Sequence, residues 1–183
     1  MQFRIFAARL LLGAAMTAPV FADELSEVTR LQRAGQSAAA LERIEQALAT
    51  NPKDAQMRFL KSVILAETGR SGEALTLLQL IVQDYPELAE PHNNLAAIYA
   101  AAGEYGKARA ELEEALRLNP LYAPAHENLG DVHALLAGQS YARALRLEPT
   151  SPSLPKKLAL VRQLAGPATL AAAPAAAASS SRR

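Results

Sequence analysis

Apolar and polar residues alternate along this chain with the period of a helix, in short segments divided by glycine or proline. In the stretch from His92 to Ala100, residues Leu95, Ala96 and Tyr99 fall on one face at helical spacing. Gly103 follows, a residue suited to the left-handed conformation that ends helices. A second stretch from Lys107 to Leu118 aligns Ala108, Leu112, Ala115 and Leu116, and Pro120 stops it. The pattern predicts two helices joined by a glycine turn, with Ala96 and Ala108 small enough to let them approach closely.

This pair recurs every 34 residues. Pro52, Pro86 and Pro120 share that spacing, as do Gly35, Gly69 and Gly103, and Ala40, Ala74 and Ala108. Three apolar columns lie on the same grid: Leu31, Leu65 and Tyr99; Ile44, Leu78 and Leu112; Ala47, Ile81 and Ala115. Six columns in one register define an internal repeat, with units at about 23–54, 55–88, 89–122 and 123–149. The fourth unit is short, because Pro149 follows Pro120 by 29 residues and the missing residues fall at the glycine turn. Either Gly138-Gln139 makes a cramped turn, or the two helices fuse from about Ala125 to Leu147. The apolar spacing through Leu135, Leu136, Tyr141 and Ala144 favours fusion. One more helix is predicted over 153–165, with Pro155 in its first turn and Leu154, Leu158, Val161 and Leu164 as its apolar stripe. It suits a cap on the end of a repeat array.

The grid resembles the tetratricopeptide repeat (TPR) family, most fully in the segment PHNNLAAIYAAAGEYGKARAELEEALRLNP. The tryptophan often found early in the family's first helix is replaced here by Arg58, His92 and His126. The resemblance implies an all-α fold, a right-handed superhelical solenoid of antiparallel helix pairs with a concave groove. It also implies protein binding without catalysis. The first helix of each unit lines the groove in this family, which makes Gln56, Phe59, Val63, Glu90, Asn93, Ala97, Glu127 and Asp131 the partner-binding candidates. Ala66, Ala100, Ala134, Leu25, Thr29 and Gln32 fall at equivalent places. Phe59 stands out, since an exposed aromatic in a groove can anchor a peptide side chain. One subtype of the family grips a terminal carboxylate with lysines and asparagines. Leu25, Phe59, Asn93 and Glu127 hold the lysine places, so that clamp is not expected, and Asn94 and Asn128 are expected to make structural hydrogen bonds.

Composition agrees with helices: 40 alanines and 29 leucines stand against 11 valines and isoleucines. The absence of cysteine excludes disulfides, thiol catalysis and thiolate metal sites. A net charge of +1 gives no bulk attraction to nucleic acid or to an anionic membrane. The termini differ from the repeats. Arg4 and Arg9, the apolar run from Leu10 to Ala18, Pro19 and Val20-Phe21-Ala22 read as a signal peptide, residues 1–22, cut after Ala22. The apolar run is too short to span a membrane, which takes roughly 17–25 residues. Residues 166–183, rich in alanine, proline and serine, read as a disordered tail.

Candidate chemistry is sparse. His126 and His133 are seven residues apart on a helix, a rise of ~10.5 Å, too far for two ligands of one metal. No serine sits in a nucleophile elbow, and the GEYGKA segment at 103–108 lacks phosphate-loop spacing. No catalytic, cofactor or metal residue is assigned. The expectation is a periplasmic or secreted scaffold that binds a peptide or helix of an envelope protein in its groove. Alternatives are an accessory or assembly factor in cell-wall or outer-membrane biogenesis, a small-ligand or metal binder using His126, Glu127, Asp131 and His133, and self-association through a terminal repeat.

Overall fold

A computed structural model describes residues 19–165. The expected leader up to residue 18 and the tail from 166 lie outside the described residues. Among these residues the chain forms eight helices and no strand: α1 (Pro19–Arg33), α2 (Ser37–Thr50), α3 (Ala55–Glu67), α4 (Ser71–Asp84), α5 (Ala89–Ala101), α6 (Tyr105–Leu118), α7 (Ala123–Leu147) and α8 (Leu154–Ala165). α1 begins ahead of Ala22, so the expected cleavage site falls inside its first turns.

The three column glycines make the turns between paired helices. Gly35, Gly69 and Gly103 have φ of 72°, 80° and 78°, a region that side chains with a Cβ avoid. One residue later the backbone N–H of Gln36, Arg70 and Glu104 reaches back to the carbonyls of Leu31, Leu65 and Tyr99 at 2.9, 2.8 and 2.8 Å. The same closing bond thus recurs every 34 residues and satisfies carbonyls the helix end leaves open. At the start of α3, Asp54 accepts a bond from the Met57 N–H at 3.0 Å and caps that helix.

The apolar columns form the core. Ala40, Ala74 and Ala108 are all fully buried, as are Ile44, Leu78 and Leu112 in the next column. Units two to four share one continuous core running from Phe59 to Leu135. The first unit closes a second core, to which α3 contributes Met57, Leu60 and Ile64. Each helix packs on its sequence neighbour, and α5 also meets α7 and α3. This is the stacking of a solenoid, in which each unit buries the face its neighbour leaves open.

Polar ties replace the missing tryptophan. Arg58, buried in α3, bonds Asp84 at the end of α4 at 2.6 Å. His92 Nδ1 of α5 meets Glu111 Oε2 of α6 at 2.6 Å. His126 Nε2 lies 2.9 Å from the carbonyl of Pro120.

The shortened unit resolves as a single 25-residue helix, α7, with Gly138 buried inside it. A glycine there costs only ~1 kcal/mol against alanine, which a helix does not need to break to avoid. α8 packs mainly on α7. Its stripe is shorter than expected: Leu158 is buried, whereas Leu164 is 70% exposed. A helix packed mainly on one neighbour has one face to cover, and Leu164 falls past it.

Candidate functional site

The expected groove helices, the first of each unit, are α1, α3, α5 and the N-terminal half of α7. The candidates on them are of two kinds. Phe59 and Val63 on α3 and Ala97 on α5 are apolar and buried. Half-buried Glu90, exposed Glu127 and half-buried Asp131 are acidic.

Two expectations about these residues need correction. Phe59 is 3% exposed and belongs to the shared core, so its ring is not an open anchor. Val63 and Ala97 are equally enclosed, at 0% and 2%. Gln56, half-buried, is the accessible candidate on α3. Asn93 is also buried, and the reason is a bond that the repeat grid does not announce. Asn128 Nδ2 on α7 donates to Asn93 Oδ1 on α5 at 2.9 Å, and Asn93 Nδ2 lies 3.3 Å from Asn94 Oδ1. Both Asn93 and Asn128 are fully enclosed. They lie 35 residues apart, neighbouring places in successive units, so an asparagine pair one step off the 34-residue grid was the available signal. The bond ties the floor of the third unit to that of the fourth.

Electrostatics sharpen the acidic positions. Burial, with the Glu127 charge beside it, pushes the Asp131 carboxyl above the usual carboxylate range. The Tyr122 phenol, where the chain enters α7, is pushed well up by burial and by the charge of Glu90. Its hydroxyl is buried without a hydrogen-bond partner. The histidines do not gather: His92 and His126 have the partners described above, and His133 is exposed. Among the described residues, no group of three or more His, Asp or Glu side chains is placed to hold a metal ion. None of the described helices is long and apolar enough to cross a membrane.

Comparison with known proteins points the same way. A tetratricopeptide repeat profile matches residues 25–89, and a TPR repeat profile matches residues 96–136, together more than half of the chain. No curated protein matches. Among solved structures, TTC0263, a thermophilic TPR protein of Thermus thermophilus, is 28% identical with a TM-score of 0.60, over 79% of this chain and 82% of that one. The O-GlcNAc transferase of Thermobaculum terrenum is 29% identical with a TM-score of 0.58, over 67% of this chain but 24% of the transferase. The MamA protein shares the fold at 18% identity and a TM-score of 0.56, over 78% of this chain and 80% of its own. Proteins of this kind are generally interaction scaffolds rather than enzymes. By repeat register, turn geometry and these matches, the chain belongs to the tetratricopeptide repeat family.

Proposed function

We propose that the protein is an exported scaffold whose concave face takes up a peptide or helix of an envelope partner. One observation carries this reading: the accessible residues among the expected groove positions are Gln56, Glu90, Glu127 and Asp131, three of them acidic. Those carboxylates suit a ligand with a basic end. Export rests on the N-terminal pattern of Arg4, Arg9, the leucine run and Val20-Phe21-Ala22, and a periplasmic place follows from it. An accessory role in cell-wall or outer-membrane assembly is the narrower form of the same proposal.

The test is photo-crosslinking in the export host from the accessible rim positions Gln56, Glu90 and Glu127. A defined partner adduct from these sites, absent from a probe at Arg109 on α6, supports groove binding. Adducts from Arg109 with none from the rim overturn it.

A further inference from the structure

We infer that α8, with the last turns of α7, is a docking surface for a bilayer that carries anionic headgroups. The inference is independent of what the groove holds.

Charge is the first argument. Acidic and basic residues are unevenly placed along the chain. Residues 19–138 carry 17 acidic and 10 basic side chains, whereas residues 139–165 carry one acidic and five basic. Seven of those ten upstream cations sit in salt bridges, among them Arg70 with Glu73 and Arg117 with Glu114. Among the described residues, no ion pair or side-chain hydrogen bond reaches Arg143, Arg146, Lys156 or Arg162, all of them exposed. Exposed Lys157 has the Tyr141 ring, with its Nζ 5.7 Å from the centroid. Five cations left to solvent between positions 143 and 162 make a local positive field that the net charge hides.

Apolar exposure is the second argument. Leu147, Leu160 and Leu164 are 77%, 62% and 70% exposed, and with Leu80 and Leu121 they are the exposed large apolar side chains among the described residues. Leu118, which stands where Leu147 does one unit earlier, is half-buried against the shared core. On α8, Leu160 and Leu164 lie one turn apart on the side away from buried Leu158. At helical spacing Lys156 and Lys157 fall on either flank of that leucine pair. Two leucines between two lysines fit a membrane interface. The leucines enter the acyl boundary while the lysine stems carry their charges to the lipid phosphates. On α7, Arg143, Arg146 and Leu147 repeat the combination at i, i+3 and i+4. A second copy fits this surface poorly. Meeting like with like would oppose five cations to five, and among the described residues α1, α2 and α3 expose no large apolar side chain for an end-to-end stack to bury.

The chain has no cysteine, so one introduced thiol carries a single environment-sensitive fluorophore, nitrobenzoxadiazole. Gln163→Cys places it on the outward side of α8, and Ala110→Cys on α6 is the control, each in the full-length chain with circular dichroism as the check on folding. Vesicles of equimolar phosphatidylglycerol and phosphatidylcholine are compared with vesicles of phosphatidylcholine alone. The expected result is a blue-shifted, brighter emission from Gln163→Cys on the anionic vesicles, with no change from Ala110→Cys. Affinity for those vesicles should fall about tenfold or more when salt rises from about 0.05 M to about 0.5 M. It should fall about tenfold or more with Lys156→Glu and Lys157→Glu together, and about tenfold with Leu160→Ala and Leu164→Ala together. An unchanged probe at Gln163→Cys overturns the proposal, even if the chain sediments with the vesicles by another route. Equal responses at both probe positions, equal responses to both kinds of vesicle, or indifference to the charge reversal also overturn it. A response to poly-glutamate with none to vesicles overturns it in favour of an acidic protein. A response that grows with protein concentration in the absence of vesicles overturns it in favour of a second copy.

Discussion

Breaking the buried Asn93–Asn128 bond tests whether the floor of the groove is a coupled structure. Asn128→Ala removes a donor 2.9 Å from Asn93 Oδ1 and leaves that oxygen short of a partner at a site 0% exposed. An unsatisfied buried polar atom costs about 1–3 kcal/mol. The space left by three heavy atoms, about 25 Å³, adds about 0.6 kcal/mol at the usual cavity coefficient. The expected loss is therefore about 2–4 kcal/mol for Asn128→Ala, with a similar loss for Asn93→Ala. In the double variant neither end of the Asn93–Asn128 bond is left orphaned, so the combined loss falls short of the sum by about 1–2 kcal/mol. Urea unfolding followed by helical circular dichroism measures all four corners of the cycle. Single losses under about 0.5 kcal/mol, or a double variant additive to within about 0.3 kcal/mol, refute the reasoning.

Four further outcomes follow from the same geometry. Tyr122→Phe removes an unpartnered buried hydroxyl and should raise stability by about 1 kcal/mol; a loss of that size in urea unfolding means the hydroxyl has a partner. Gly103→Ala meets open space, since nothing lies within 4 Å of the added Cβ, so only the φ of 78° is penalised, by about 1–2 kcal/mol; no change in the urea midpoint refutes this. Leu112→Ala, at 0% exposure, should cost about 2–5 kcal/mol, while Leu160→Ala, at 62%, should stay within about 0.5 kcal/mol by the same measurement. The Asp131 carboxyl is raised in the fold, so its penalty is absent below the ordinary Asp range and grows as pH climbs through the folded value. Asp131→Asn should accordingly stabilise at pH 7, by under about 1 kcal/mol, and its advantage should vanish near pH 3. An advantage that persists there points to a cause other than charge.

The parts of the fold readable from the sequence are those set locally and repeated. Each column glycine carries its turn with it, and each small column residue, Ala40, Ala74 and Ala108, sits where two helices cross. Repetition turned weak signals into a register. What the sequence left open depends on neighbours it does not name. Phe59 looks like a groove anchor by position, but it belongs to the core that units two to four share. Asn93 and Asn94 look alike on the helix, yet Asn93 receives the bond from Asn128 because it faces the next unit. Leu164 continues an apolar stripe at helical spacing, yet it stays in water at the end of a helix that packs mainly on α7.

The fusion that made α7 has a mechanical consequence. A turn between two helices can flex, whereas an unbroken helix of 25 residues is a rod about 37 Å long. One end of that rod carries Asn128, hydrogen-bonded into the groove floor, and the other end carries the packing surface of α8. The fourth unit therefore has no turn of its own, and the same helix carries the bond to Asn93 and the contact with the cap.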